Sequence, residues 1–152
     1  MSEFKFGLQN VVKLRERERD AAAQSYRQAL LAIEKLGQQI ADLQAEHDGQ
    51  APWQSQFTVG TVAPQRIMES QRFQMHLQQE IAGIRSQIEL IEAECEKRRQ
   101  ALVAREQALS SLEKLREQQH QAWDADQIRH EQIVLDEWAG FKHWMLTPKT
   151  GE

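Results

Sequence analysis

Apolar residues step along the first third of the chain by threes and fours. From Ala22 the series runs Tyr26, Ala29, Ile33, Leu36, Ile40, Leu43 and His47, with mostly polar residues between. This is a heptad register, the pattern of a helix with one buried seam. Between Leu8 and His47 there is no proline, and Gly37 is the lone glycine. The spacing predicts a first helix over about 8–47. Carried backwards, the register puts Arg19 and Arg15 on the seam, while the apolar residues of that stretch are Val11, Val12 and Leu14. The stripe is therefore expected to change face near Asp20, as a stutter would make it do.

A second series reads Phe73, Leu77, Ile81, Ile84, Ile88, Ile91, Cys95, Leu102, Leu109 and Leu112, with Arg98 and Arg105 on the same register. No proline falls between about 66 and about 142, and only Gly83 and Gly140 interrupt the helical composition. The apolar signal returns as IVLDEW and FKHWML before a short tail with Pro and Gly. This predicts a second helix over about 66–142. Between the two, DGQAPWQSQFTVGTVAPQ holds two prolines and two glycines. It reads as a connecting loop over about 48–65, with Pro64 placed to introduce the second helix.

Two helices joined by one loop should fold back on each other to bury their stripes. The expected fold is all-α: a long antiparallel two-helix coiled coil, a helical hairpin forming one domain over 1–152. Setting His47 opposite Ile67 matches Ile33 with about Ile81 and Tyr26 with about Ile88. It also brings Arg19 and Arg15 near Cys95 and Arg98. At 1.5 Å per residue the second helix would run about 115 Å against about 60 Å for the first. The second helix should overhang from about Leu109, beside the start of the first.

Composition supports helices and removes other classes. The chain of 152 residues is 28% charged and 7% aromatic, a mix suited to coiled coils. Its mean hydropathy of −0.69 is low for a packed globule. A net charge of −4 gives no general reason to expect nucleic acid as a partner. A small DNA-binding helical protein is accordingly a poor reading. The single cysteine, Cys95, can form no internal disulfide and reads as a small apolar seam residue. The opening residues lack the apolar core and cleavage site of a signal peptide. No stretch nears the ~18 apolar residues of a membrane span, so the default compartment is the cytoplasm.

No catalytic constellation is present. His130-Glu131 lacks the second histidine of a zinc-binding helix, and Asp124 and Asp126 lack the glycine and glutamate of a calcium loop. No glycines cradle a phosphate, and neither GxSxG nor CxxC occurs. The expectation is a protein that is no enzyme and has no catalytic residue, no metal and no cofactor. What remains suits binding. Lys13, Arg15, Glu16, Arg17, Glu18, Arg19 and Asp20 form either a solvated face with i,i+4 pairs or a charged contact surface. Seam arginines favour the second, since a charge there is costly unless paired. Trp123, Trp138, Phe141 and Trp144 lie in the overhang and either cap it or anchor a partner.

The opening FKFGLQNVVKLRERE resembles the start of the flagellar FliJ family, whose members begin F-x-F-x-L followed by a V/L-x-x-L-R-x-x-E run. Phe4, Phe6, Leu8, Gln9, Val12, Leu14, Arg15 and Glu18 occupy the matching positions. SLEKLREQ at 111–118 and LDEWA at 135–139 resemble the family's second signature. The resemblance covers nearly the whole chain. It implies a component of the flagellar type III export apparatus, similar to the central stalk of rotary ATPases. Such a protein would insert its paired ends into the hexamer of the export ATPase (FliI) and engage the cytoplasmic domain of the export gate (FlhA). It would also escort export chaperones, and would lie in the cytoplasm at the inner face of the membrane by way of the gate.

On this reading Phe4, Phe6, Leu8, Arg15, Arg17, Arg19, Leu112, Leu115, Asp136 and Glu137 are the expected ATPase-binding tip. Phe4, Phe6 and Leu8 would pack against the overhang between about Leu109 and Leu115. Ile40, Leu43, His47, Phe73, Gln74, Leu77 and Glu80 are the expected gate-binding region. The alternative is a generic coiled-coil tether, or the stalk protein of a non-flagellar injectisome. The loop PWQSQFTVGTVAP departs from the family by being long and apolar.

Overall fold

The structure is a computed structural model that describes residues 2–58 and 64–147. Helix α1 spans Gln9–Thr58 and helix α2 spans Pro64–Leu146. Among the described residues there is no strand. The two long helices pack against each other as an antiparallel helical hairpin, the coiled coil that the heptads predict.

Both helices run further than expected. The loop predicted to begin at 48 is helical as far as Thr58, while 59–63 lie outside the described residues. Pro52 removes one backbone N–H, and a helix that continues through it still satisfies more carbonyls than one that stops at His47. The added turns also find cover on α2, where the Ser70 hydroxyl donates to Gln50 Oε1 at 3.3 Å. Helix α2 begins at Pro64, whose missing N–H is harmless in a first turn. It ends not near 142 but at Leu146, where Thr147 closes the last turn by donating N–H and Oγ1 to the His143 carbonyl at 3.0 and 3.1 Å.

The register moves with the longer α1. His47, expected opposite Ile67, meets Gln74 and Gln78 instead: Gln74 Nε2 reaches its carbonyl at 3.5 Å and Gln78 Nε2 its ring at 3.1 Å. Further along, Arg98 Nη1 donates to the Ser25 carbonyl at 2.9 Å and Arg105 Nη1 to Glu18 Oε2 at 3.0 Å. The seam arginines of α2 therefore face Ser25 and Glu18 rather than Arg19 and Arg15.

Residues 18–105 form one compact unit. Among its described residues Ala29, Leu77, Ile81 and Cys95 are the buried apolar ones, flanked by the half-buried Ile33, Leu36, Ile40, Leu43, Ile84, Ile88 and Ile91. Residues 2–17 with 106–147 form the other. Its core is Phe6, Val12 and Leu109, with Phe4, Leu112 and Leu115 packed against it.

Burial along α1 corrects the expected change of face near Asp20. Covered positions run Val12, Arg15, Arg19, Ala22, Tyr26 and Ala29 in unbroken heptad spacing, and Leu14 is exposed. Arg15 and Arg19 occupy these seam positions and are half-buried. Arg19 pairs with Asp20 at 3.0 Å.

Register can be tested by oxidative crosslinking in a Cys95→Ser background. Cysteines at Leu43 and Ile81 should join within one chain. Cysteines at Ile33 and Ile81, displaced by about 15 Å along the axis, should not. A fast-migrating monomer for the second pair alone would overturn this register.

Candidate partner-binding surfaces

In the unit of residues 2–17 and 106–147, a non-helical segment, Ser2–Leu8, lies against α2. No Ser, Thr, Asp or Asn caps α1. The start of the helix is marked instead by the Leu8 carbonyl, which accepts the Val12 N–H at 2.9 Å, and by a Gln9 N–H to Phe6 carbonyl bond of 3.2 Å. Beside this backbone bond the segment is fixed by apolar packing. Phe6 is only 7% exposed, against Val12 and Leu109. Phe4 packs beside Leu112 and Leu115 and meets His120 edge-on, with ring centroids 4.8 Å apart. Trp123 stands 6.1 Å from both rings.

The expected tip residues therefore divide. Phe4, Phe6, Leu112 and Leu115 come together, while Leu8 is 39% exposed and outside the cluster. Arg15 is half-buried, and Arg17 is exposed. Arg19 belongs to the other unit. Asp136 and Glu137 are exposed on the far part of α2. His120 escaped the sequence reading because a lone polar residue carries no signal of an aromatic neighbour at the other end of the chain.

Beyond Gln127 every described side chain of α2 is exposed. The overhang is thus bare from Ile128 rather than from Leu109. Ile133, Val134, Leu135, Trp138, Phe141 and Trp144 all face water, the last at 66% exposure. Lys142 covers part of this surface, its ammonium 5.0 Å from the centre of the Trp138 ring. Among the described residues no group of three or more His, Cys, Asp or Glu side chains could hold a metal ion.

The unit of residues 18–105 carries a surface hollow of about 570 Å³ between the helices, lined by Gln39, Asp42, Leu43, Glu80, Gly83, Ile84 and Gln87. It contains two of the expected gate residues, Leu43 and Glu80. A Cβ added at Gly83 would meet nothing within 4 Å, so no packing requires glycine there. Sequence periodicity could not single out Gly83, Gln39 or Gln87, because a hollow depends on what faces across the seam. Ile40 is half-buried and Leu77 is core, at 2% exposure. Phe73 was expected on the seam, but Gln74 holds that position and Phe73 is 41% exposed. The heptad that fits Leu77 backwards is Gln74 and Ser70, and hydrogen bonding reconciles both to a seam.

On α1 in the same unit, Asp48 accepts hydrogen bonds from His47 Nδ1 at 3.3 Å and Gln44 Nε2 at 3.0 Å. The His47 bond, then the Gln44 bond, hold its carboxyl below the ordinary aspartate range.

In comparisons with known proteins, the family described as "Flagellar FliJ protein" matches residues 4–145. No curated protein and no solved structure matches the chain.

Two outcomes follow from this geometry. Phe6→Ala should cost about 3 kcal/mol in urea unfolding, whereas Leu8→Ala should cost less than about 1; equal losses would contradict the packing. Because its carboxyl is depressed, Asp48 contributes fully at neutral pH and loses its contribution as pH falls through its own low titration. Carboxyl NMR should place that midpoint below the aspartate range, and Gln44→Ala should raise it.

Proposed function

Because the chain belongs to the flagellar FliJ family and so is a component of the flagellar export apparatus, we propose that it acts there as a non-enzymatic stalk. The observation that carries this reading is the family match over residues 4–145 of a two-helix coiled coil. In this reading the end built on Phe4, Phe6, Leu112 and Leu115, with the exposed Leu8 next to them in the chain, enters the hexamer of the export ATPase. The aromatic cluster stiffens that end, and Arg15, Arg17, Asp136 and Glu137 meet the loops of the ring. Arg19, in the other unit and paired with Asp20, drops out of the proposed contact.

Surface charge suits such a task. Exposed ion pairs are worth roughly 0–1 kcal/mol each, so a shaft held by them meets no deep energy minimum in any one orientation. The bare aromatic face beyond Ile128 supplies apolar anchoring that charge alone does not.

The second proposed contact is with the cytoplasmic domain of the export gate, around Ile40, Leu43, His47, Phe73, Gln74, Leu77 and Glu80. The hollow floored by Gly83 and the exposed Phe73 ring support a partner side there, while Leu77 serves it by holding the helices together. Export chaperones would be handed on by the same protein. No described helix is long and apolar enough to cross a membrane. Association with the membrane would therefore run through the gate.

Two variants test the two contacts. Arg17→Glu, with Arg15→Glu added, should weaken binding to purified export ATPase and flatten its salt dependence, with helicity by circular dichroism unchanged. Unaltered binding in the double variant would remove these arginines from the contact. Gly83→Arg, built into open space, should leave the coiled coil intact yet put a bulky side chain across the hollow and reduce gate binding. Full gate binding by that intact chain would rule the hollow out.

A further inference from the structure

We propose that the exposed far part of α2 pairs antiparallel with the same stretch of a second copy of this chain, making a two-fold, tail-to-tail dimer. The inference stands apart from the export-apparatus reading, since it needs only the chain itself.

The seam of α2 continues past its own cover. His120, Asp124 and Gln127 are half-buried on the face where Phe4 docks against His120. Stepped on by fours and threes, that face carries Glu131 and then Val134, Trp138, Phe141 and Met145. The last four are between 49% and 65% exposed. Leu135 and Trp144 flank them, while Arg129, Gln132, Asp136 and His143 fall on the opposite side of the helix. A one-sided apolar stripe, in continuous register with a covered seam, has the form of a surface for one more helix.

The cover before Gln127 fixes the direction of that helix. There the face of α2 is taken by the chain's own Ser2–Leu8 segment and the start of α1. A second copy lying parallel would bring its own cover alongside, with two covering segments wedged between the two α2 helices. An antiparallel copy leads away in the opposite direction and meets neither. It also continues the sense of α1, which already runs antiparallel on this face.

The stripe is self-complementary in that direction. A two-fold axis between Ala139 and Gly140 sets Val134 level with Met145 and Trp138 level with Phe141, each pair occurring twice. The small side chains meet long flexible ones, and the two central layers each match an indole with a phenyl ring. An apolar hollow of about 220 Å³ among Trp138, Phe141, Lys142, Met145 and Leu146 is where Trp138 of the second copy stands.

Charge selects a second copy over a lipid surface. Ile128–Leu146 sets Arg129 and Lys142 against Glu131, Asp136 and Glu137. Stretches so near neutrality do not repel one another, and they lack the lysine- and arginine-rich face that an anionic membrane attracts. The overlap is only about 28 Å long, so the dimer is weak, dissociating in the range of about 10–100 μM.

Sedimentation velocity on the full chain from about 5 to about 500 μM should show the mass rising from one chain towards two. Trp138→Glu should weaken association by about tenfold or more. Gln132→Glu makes the same charge change on the opposite side and should leave association unaltered. Both positions are exposed, so helicity by circular dichroism should stay the same in each. In a Cys95→Ser background, chains with Val134→Cys should crosslink to chains with Met145→Cys when mixed. Neither should crosslink to itself, because like positions stand about 16 Å apart along the axis. A chain that stays monomeric throughout, equal weakening by the two glutamates, or self-crosslinking of Val134→Cys overturns the pairing. So does sedimentation with phosphatidylglycerol vesicles in place of self-association, the sign of a membrane face.

Discussion

A pair of helices can hide only one stripe of each from water, and everything distinctive about this chain follows from how those stripes are filled. Among the described residues no side chain is fully buried, and the most covered ones, such as Leu77 and Val12, touch solvent at 2% and 3% of their surface. With so little apolar area per residue, stability must come from many small layers in correct register. A slip by one layer would expose several of them together.

Register is what the polar layers supply. An apolar seam of Ile and Leu tolerates sliding, because one aliphatic layer resembles the next. Arg98 bound to the Ser25 carbonyl, Arg105 bound to Glu18 and His47 between Gln74 and Gln78 do not, since a shifted helix would leave these groups unpaired. Such layers contribute less than leucine would but mark one alignment. Arg15 and Arg19 also hold seam positions, and Arg19 pairs with Asp20.

How much of this could be read from sequence depended on the range of the interaction. Heptads over Ala22–His47 and Leu77–Cys95 are local and strong, and they gave the helices, their pairing and the buried Cys95. Where α1 stops is not local. Pro52 and Gly49 look like breakers, yet Gln50 finds Ser70 on the other helix, and that contact lies outside any window on the chain. The error moved the whole register. Phe73 misled for a related reason: hydrophobicity suggested the seam, but position relative to Leu77 assigns it to Gln74. The aromatic start was legible as a packing element because Phe4 and Phe6 have few other places to go. His120 was not, because nothing near it in sequence announces Phe4.

From Ile128 to Leu146 every described side chain is exposed, so helicity there leans on propagation from the packed turns before Gln127. Most helical stability in proteins comes from packing of an apolar face, and this stretch packs none of its described side chains. Helix–coil relaxation in a peptide of about this length takes about 0.1–1 μs, so turns that fray there rewind quickly. Winding the last turns becomes part of the free energy of capture, and the tightness of any complex on this face is set partly by helix propensity at residues such as Gly140 that touch nothing.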